Sequence, residues 1–231
     1  LASRKPLLTL DDVKAMIADI AMYDEDAAKL KPAMLEIVKR NKNLTPEMQR
    51  AIRVLEAWDH YEREGSTGKV IWDAWLDAVR NRVFGDDLGN FFDPNLFRLA
   101  IQPSYILYAL QGNKAAVPRL YDYFNGKPKE QVLAIALADA LTQLKQRYGA
   151  NISQWRYSAP RMNWGSLPGV PYTDRGSYIQ VIELSNPIVG ENVLPPGQSE
   201  EPTSPHFSDQ RDLASWWLFK PMVLNPAWWE R

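Results

Sequence analysis

The sequence predicts an α+β chain that is mainly helical, with a helical region over about residues 1–150 and then a Pro/Gly-rich segment with one or two strands. Three observations predict this division. Apolar residues recur at helical spacing through most of the first 150 positions. The composition changes sharply after Ala150, where proline, glycine and aromatic residues become frequent. Residues 177–184 alternate with the two-residue period of a β-strand and are rich in β-forming residue types.

The composition excludes several classes of protein. The chain has 231 residues, of which 45% are hydrophobic and 24% charged, and its formal net charge is −1. These values exclude a wholly disordered chain, and they exclude a strongly basic nucleic-acid binder because no charge excess exists to neutralise phosphates. No apolar run reaches the ~20 residues that a membrane-spanning helix needs. With no cysteine and only two histidines, His60 and His206, the sequence argues against a zinc site and a thiolate nucleophile.

Each of the first three predicted helices has its own start signal. Thr9 is a suitable N-cap for the first helix, and Asp24 or Asp26 caps a second helix that runs to about Lys39. Residues 45–47 supply a capping threonine, a proline for the first helical position and an acid for the first turn of the third helix. The apolar stripes that these helices would bury are Val13, Met16, Ile17 and Ile20; Leu30, Met34, Leu35 and Val38; and Met48, Ala51, Ile52, Leu55 and Trp58.

Further helices are predicted as far as residue 148, with bounds set by glycine and proline. The strongest pattern covers 129–148, which has a wide apolar stripe and Gly149 at its C-terminal end. The weaker patterns are a helix that follows the break at 65–68 and ends near Phe84-Gly85, a helix that starts at Asp93-Pro94 and ends or kinks at Pro103, and short helices over 103–110 and 117–124.

The remainder of the chain is predicted to be mostly irregular. Residues 155–174 have the composition of an ordered loop anchored by aromatic side chains. Strands are predicted over 177–184 and, more weakly, over 192–194, and a short helix over 212–219. Because one strand or two short ones do not form a stable sheet, we expect the partner strands to lie on another polypeptide or another segment.

Four C-terminal stretches resemble motifs of the penicillin acylase family. They are DRGSYIQV at 174–181, NVLPPGQS at 192–199, SPHFSDQ at 204–210 and WLFKPM at 217–222. The helical stretch over 10–35, and LEAWD at 55–59, are also similar to that family. The resemblance spans nearly the whole chain, and its C-terminal motifs are specific in combination.

The resemblance implies an N-terminal nucleophile (Ntn) hydrolase with a four-layer αββα fold. In that family a precursor cuts itself, and the freed N-terminal serine of the β chain attacks an amide with its own α-amino group as base. The present chain begins at Leu1, and its matched region follows the stretch that carries the nucleophile. We therefore assign no catalytic residue to this chain and expect it to be inactive in isolation. The remaining α- and β-chain segments of a parent acylase are the expected partners.

The resemblance also implies that a set of residues holds the active-site region without taking part in the chemistry. The alternative for this loop, a Ser-His-Asp relay through His206 and Asp209 with Ser199 or Ser204, has no support from the spacing, and we favour a structural role. Gly197 is expected to allow a close turn after two prolines. The predicted set is Arg175, Gly176, Gln180, Gly197, Gln198, Ser199, His206, Asp209 and Gln210.

Three other groups of residues have a structural interpretation and a functional one. Asp86 and Asp87 with Asp93 lack the ligand spacing of an EF-hand, so capping and surface charge are favoured over calcium binding. The tryptophan pairs at 216–217 and 228–229 are favoured as anchors of irregular chain over a ligand platform. His60 is expected at a helix C-terminus, where the helix dipole favours a cation.

The sequence thus predicts the C-terminal portion of a penicillin-acylase-like amidohydrolase. Residues 1–150 would wall the acyl pocket, and 151–231 would complete the Ntn-hydrolase core. The substrate would be a small N-acyl compound such as a β-lactam antibiotic or an acyl-homoserine lactone. No cofactor is expected in this chain, since any calcium site of the family lies in other segments, and the location would be periplasmic or secreted. The alternative is a stand-alone helical binding module with an aromatic C-terminal tail.

Overall fold

The computed structural model describes residues 7–91, 94–117, 121–164, 167–171 and 178–224. The chain divides into two compact units, one formed by 24–158 and the other by 1–23 together with 159–231. The first helix of the chain therefore groups with the C-terminal segment, whereas the sequence placed it with the other helices.

The described residues are mainly helical, as the sequence predicted. The helices are α1 (Leu10–Met22), α2 (Glu25–Val38), α3 (Pro46–Ala57), α4 (Thr67–Leu88), α5 (Pro94–Ala100), α6 (Pro103–Gln111), α7 (Lys129–Tyr148) and α8 (Arg211–Ser215). The strands are β1 (Arg161–Trp164), β2 (Leu167–Pro171), β3 (Ile179–Glu183), β4 (Val189–Val193) and β5 (Lys220–Pro221).

The predicted capping residues begin the first three helices. Thr9 accepts a hydrogen bond from the backbone N–H of Asp12 at 3.2 Å, and the Asp12 carboxylate accepts the Thr9 N–H in return. Asp24, rather than Asp26, caps α2. Thr45 caps α3 and accepts the Met48 N–H at 3.2 Å. The helix starts were predictable because a cap needs only residues that are close in sequence.

The core of unit 24–158 lies around α7. This helix packs against α2, α3 and α4, and the whole apolar stripe predicted for it is buried. Trp72 and Trp75 of α4 are almost inaccessible to solvent and meet edge to face at 6.4 Å. The Trp75 indole N–H donates to the Leu133 carbonyl at 3.0 Å, which satisfies the only polar atom of that buried side chain.

Two helix predictions for this unit were wrong. The fourth helix continues to Leu88 instead of ending near Phe84-Gly85, because a helical glycine only weakens a helix and does not end it. The predicted helix over 117–124 is absent from the described part of that segment, where residues 123–126 form a turn. Asp122 makes this turn by accepting the backbone N–H groups of Phe124 and Gly126.

The strand content of the other unit exceeds the one or two strands predicted. Strands β1 and β2 form an antiparallel pair within 155–174, which was predicted to be loop. That prediction failed because Pro168 and Pro171 indicate a loop, yet proline is tolerated in an edge strand, and both strands of a two-stranded sheet are edges. A second sheet has the order β3-β4-β5 and is antiparallel throughout. Helix α1 packs on β3, although none of its predicted stripe is fully buried.

No helix in the described part of the chain is both long enough and apolar enough to cross a membrane.

Candidate functional site

Two of the motifs predicted from sequence, 192–199 and 204–210, are joined by backbone hydrogen bonds. The Ser199 N–H donates to the His206 carbonyl at 3.1 Å, and the Gln210 N–H donates to the Pro196 carbonyl at 2.9 Å. The side-chain oxygen of Gln210 accepts the Leu194 N–H at 2.9 Å. Gln210 is buried, at 1% exposure, so its amide fixes the end of β4 from the interior. We call these two hydrogen-bonded segments the motif loops.

Gly197 lies at the closest approach of the motif loops. A Cβ atom built at this position would be 2.1 Å from the His206 carbonyl oxygen and 2.8 Å from Oδ1 of Asp209. The first distance is far inside van der Waals contact, and the atom it meets belongs to the backbone. The sequence analysis explained Gly197 by a tight turn. The structure gives a different reason, because a side chain at this position would collide with the neighbouring loop.

The His206 and Asp209 side chains interact on the surface of the loop. Nδ1 of His206 lies 3.0 Å from Oδ2 of Asp209, and the His206 side chain is 65% exposed. The hydroxyls of Ser204 and Ser199 accept the backbone N–H groups of His206 and Glu201, respectively. Within the described chain, the hydrogen bonds of this loop therefore hold backbone and do not form a Ser-His-Asp relay.

The rest of the predicted set is distributed around the motif loops. Gln180 lies on β3, where it pairs with Asn192 of β4 and accepts a hydrogen bond from the Tyr178 hydroxyl at 2.6 Å. Strand β4 leads directly into the first motif loop, so the sheet connects Gln180 to it. Gln198 is exposed. Arg175 and Gly176 lie outside the described residues.

Within the described residues, the small sheet is open on the side of β3. Among the described strands β3 has a neighbour only in β4, and β5 forms the opposite edge. Large apolar side chains on and beside β3 and β4 remain in solvent: Ile182 is 40%, Leu184 88%, Ile188 53% and Val189 44% exposed. An open strand edge next to exposed apolar residues is typical of a surface that pairs with more polypeptide.

Sequence reasoning missed a cluster of charged side chains in unit 24–158. The Lys69 ammonium contacts carboxylate oxygens of Glu62 at 2.6 Å, Asp24 at 2.8 Å and Asp73 at 3.0 Å. The Lys69 side chain is only 8% exposed. We call these four residues the Lys69 cluster. The sequence did contain a signal for it, a lysine in the first turn of a helix with an aspartate four residues later. The first turn of a helix disfavours a cation, so a lysine at that position indicates carboxylate partners from elsewhere.

The cluster perturbs the pKa values of its members. Burial acts to lower the pKa of Lys69, but the attraction of Asp73, Asp24 and Glu62 outweighs it and the net shift is upward. Burial raises the pKa of Asp73 to about 6, against the opposing attraction of Lys69. Burial also raises the pKa of Tyr157, whose hydroxyl lies 3.3 Å from the Glu62 carboxylate.

The C-terminal end of α3 binds a lysine, and not the histidine that the sequence suggested. The Lys31 ammonium donates to the carbonyls of Leu55 and Trp58 at 2.7 and 2.6 Å, so it takes the position that favours a cation. His60 follows in a left-handed conformation with φ of 70°. Burial and the nearby Lys31 charge lower the His60 pKa, the opposite of what a helix C-terminus alone would cause.

The other candidates from sequence have ordinary surface contacts. Asp86 accepts a hydrogen bond from Asn125, and Asp87 accepts one from Tyr121. Within the described residues no group of acidic or histidine side chains could hold a metal ion, and Asp93 lies outside them. Trp216 is 76% exposed, so it is not the anchor that was predicted, and residues 228–229 are outside the described chain.

The fold resembles that of a solved acylase. The thermostable penicillin G acylase from Alcaligenes faecalis matches 97% of this chain with a TM-score of 0.73 and 17% sequence identity. The match covers 48% of that acylase chain. This likeness concerns the fold alone.

The sequence comparisons give the family. The family model described as penicillin amidase matches residues 1–230, so the chain belongs to the penicillin amidase family. It is 24% identical over 275 aligned positions to penicillin G acylase from Escherichia coli. That alignment includes 96% of this chain but only 32% of the acylase. The chain thus spans about a third of the length of this curated relative.

Proposed function

We propose that this chain is the C-terminal portion of a penicillin-acylase-like amidohydrolase. The observation that supports this most strongly is the family match over residues 1–230, in a chain that covers only 32% of its curated relative. The interlocked motif loops are consistent with it, because they include the residues that the sequence assigned to holding the active-site region. The remaining α- and β-chain segments are the proposed partners.

The proposed reaction is hydrolysis of the side-chain amide of a small N-acyl compound, such as a β-lactam antibiotic or an acyl-homoserine lactone. The nucleophile would be an N-terminal serine on another segment, freed when the precursor cuts itself, and its own α-amino group would act as base. The helices of this chain would wall the acyl pocket, and its strands would complete the sheet of an Ntn-hydrolase core. The chain would contribute no cofactor, and the enzyme would be periplasmic or secreted.

The motif loops would support the site indirectly. Their contacts are backbone hydrogen bonds, a buried glutamine amide and a glycine that admits the neighbouring carbonyl. Such contacts fix the position of the loops. Their role would therefore be to hold the segments that carry the reacting groups.

The proposed activity is tested by comparing the isolated chain with the parent protein on a chromogenic N-acyl amide. We expect the parent to release the chromophore and the isolated chain to show no turnover. A parent in which alanine replaces the serine at the processing junction is the matched control, and we expect it to stay uncut and inactive. Turnover by the isolated chain at the parent's rate, or an inactive parent that is fully processed, would contradict the proposal.

The alternative is a helical binding module with an aromatic tail, and the exposed Trp216 and Leu218 favour it. The two functions differ in what the gene encodes. A reading frame that contains a Gly-Ser junction before this segment supports the acylase, whereas a frame limited to this segment supports the binding module.

The open β3 edge predicts that the isolated chain associates with itself. Pairing two such edges would satisfy backbone groups and cover the exposed side chains of Ile182 and Leu184. We expect sedimentation velocity to show dimers or larger species, and we expect Ile182→Lys to reduce them because an edge charge opposes pairing. The matched control is Ile135→Lys on α7, where the side chain is 40% exposed, as at Ile182, and no strand is involved. A wild-type chain that is monomeric, with strong amide protection across 177–184, would contradict this prediction.

A further inference from the structure

The Lys69 cluster combines one buried cation with three carboxylates from separate parts of the chain. Asp24 caps α2, Glu62 lies in the loop between α3 and α4, and Asp73 is one turn beyond Lys69 on α4. An ammonium group has three donors, and the three carboxylate contacts at 2.6 to 3.0 Å use all of them. The ammonium therefore joins the start of α2, the 58–66 loop and the first two turns of α4.

The charges of the cluster do not balance. With every group ionised, one positive charge is shared by three negative charges at a site where the four side chains are 8% to 29% exposed. Carboxylates confined this closely cannot all remain ionised without a cost, and the least costly remedy is to protonate one of them. Asp73 is the natural acceptor, because Asp24 also caps a helix and Glu62 also binds Tyr157.

The other charged groups around the cluster are engaged elsewhere. Arg80, two turns beyond Asp73 on α4 and within range of its charge, donates to the Ile101 carbonyl at 2.9 Å and binds Asp77 at 2.5 Å. Lys31 of α2 binds carbonyls at the end of α3, and Arg63 of the 58–66 loop binds Asp59. Arg156, from the segment that carries Tyr157, donates to the carbonyls of Ser153 and Trp155. Burial and the nearby Lys31 charge lower the pKa of His60, which disfavours a positive charge on that ring.

We propose that the Lys69 cluster is a proton-linked clamp, which takes up one proton on Asp73 in mildly acidic solution and thereby strengthens the junction of α2, the 58–66 loop and α4. Once Asp73 is protonated, the cluster has one positive and two negative charges. The Lys69 ammonium is then in direct contact with both remaining carboxylates, those of Asp24 and Glu62. Loss of the proton restores the third negative charge and weakens the junction. The stability of unit 24–158 therefore depends on pH through this cluster. This dependence is separate from the motif loops and from the proposed hydrolysis.

The sign of the effect follows from the pKa of Asp73, which burial raises to about 6 from 3.8. Because the folded chain holds this proton more tightly than the unfolded chain, the Asp73 contribution favours folding at low pH. That contribution is lost as the pH rises from about 4 to about 6. Between pH 5 and pH 7.5 it changes the equilibrium constant for unfolding by about tenfold.

The test measures unfolding of the 231-residue chain and of Asp73→Asn in urea at pH 5 and pH 7.5, at one protein concentration so that self-association affects both proteins alike. Asparagine imitates the protonated side chain at every pH. We divide the unfolding constant of the wild type by that of Asp73→Asn. We expect this ratio to be about tenfold higher at pH 7.5 than at pH 5. Taking this ratio removes the contributions of His60 and of other groups that titrate in both proteins.

The matched control is Asp139→Asn, the same change on α7, where the carboxylate binds Arg82 on the surface. We expect the ratio of the wild-type unfolding constant to that of Asp139→Asn to be the same at pH 5 and pH 7.5. A second measurement, the carbon chemical shift of the Asp73 carboxyl in the folded wild-type chain, does not depend on any variant. A midpoint near pH 6 supports the clamp, whereas a midpoint below pH 4.5 or a constant Asp73→Asn ratio overturns it.

Discussion

Replacement of Lys69 by methionine is expected to destabilise the helical unit by about 3–5 kcal/mol, because the change leaves three partly buried carboxylates without their cation. Methionine fills a similar volume, so packing is largely retained and the loss is electrostatic. Urea unfolding followed by tryptophan fluorescence measures the effect, since Trp58, Trp72 and Trp75 are all packed in this unit.

The matched control is Lys29→Met. Lys29 lies on α2 and binds Glu25 at 2.7 Å, but its side chain is 62% exposed, so we expect little change in stability. Adding Asp73→Asn to Lys69→Met removes one of the uncompensated charges, and we expect it to restore part of the lost stability. Equal effects of Lys69→Met and Lys29→Met would show that the buried ammonium does not hold the unit together.

Replacement of Gly197 by alanine is expected to separate the motif loops. The added methyl group would lie 2.1 Å from the His206 carbonyl oxygen, so backbone must move and the Ser199 to His206 hydrogen bond is lost. We expect a cost of about 1–3 kcal/mol from the forced rearrangement. Faster amide exchange over residues 194–210 is the direct measurement, and we expect the amidase activity of the proposed parent acylase to fall.

Gly85→Ala is the control for this substitution. A Cβ at Gly85 has no neighbour within 4 Å, and the residue lies inside α4, where alanine is the better helix former. We therefore expect Gly85→Ala to be neutral or stabilising. Unchanged exchange at residues 194–210 in Gly197→Ala would mean that the loops tolerate a wider separation than their contacts indicate.

Much of the helical part was predictable from sequence because its determinants are local. Thr9 and Thr45 precede runs with helical periodicity, and the stripe of α7 is buried as its spacing indicated. The hairpin of β1 and β2 was missed because proline inside a strand resembles proline in a loop. Each of these segments is a strand because it pairs with the other, and this pairing cannot be read from the composition of either segment alone.

The candidate site was predicted only in part for a similar reason. The motif loops were identified by resemblance, and the structure adds the hydrogen bonds of Gln210 and the contact at Gly197. The Lys69 cluster was missed because its carboxylates come from positions 24, 62 and 73, and no spacing rule connects the first two with a lysine. The C-terminal position of α3 was misassigned to His60 for the same reason, since Lys31 reaches it from another helix.

Asp24 performs two tasks with one carboxylate. Its Oδ1 accepts the Ala27 N–H at 2.7 Å to begin α2, and its Oδ2 accepts the Lys69 ammonium at 2.8 Å. Asparagine, serine and threonine are good caps but carry no charge, so none of them replaces both functions. The range of residues tolerated at this helix start should therefore be narrower than at Thr45, where any good capping residue suffices. In a set of homologous sequences, Asp24 and Lys69 should be exchanged together or not at all.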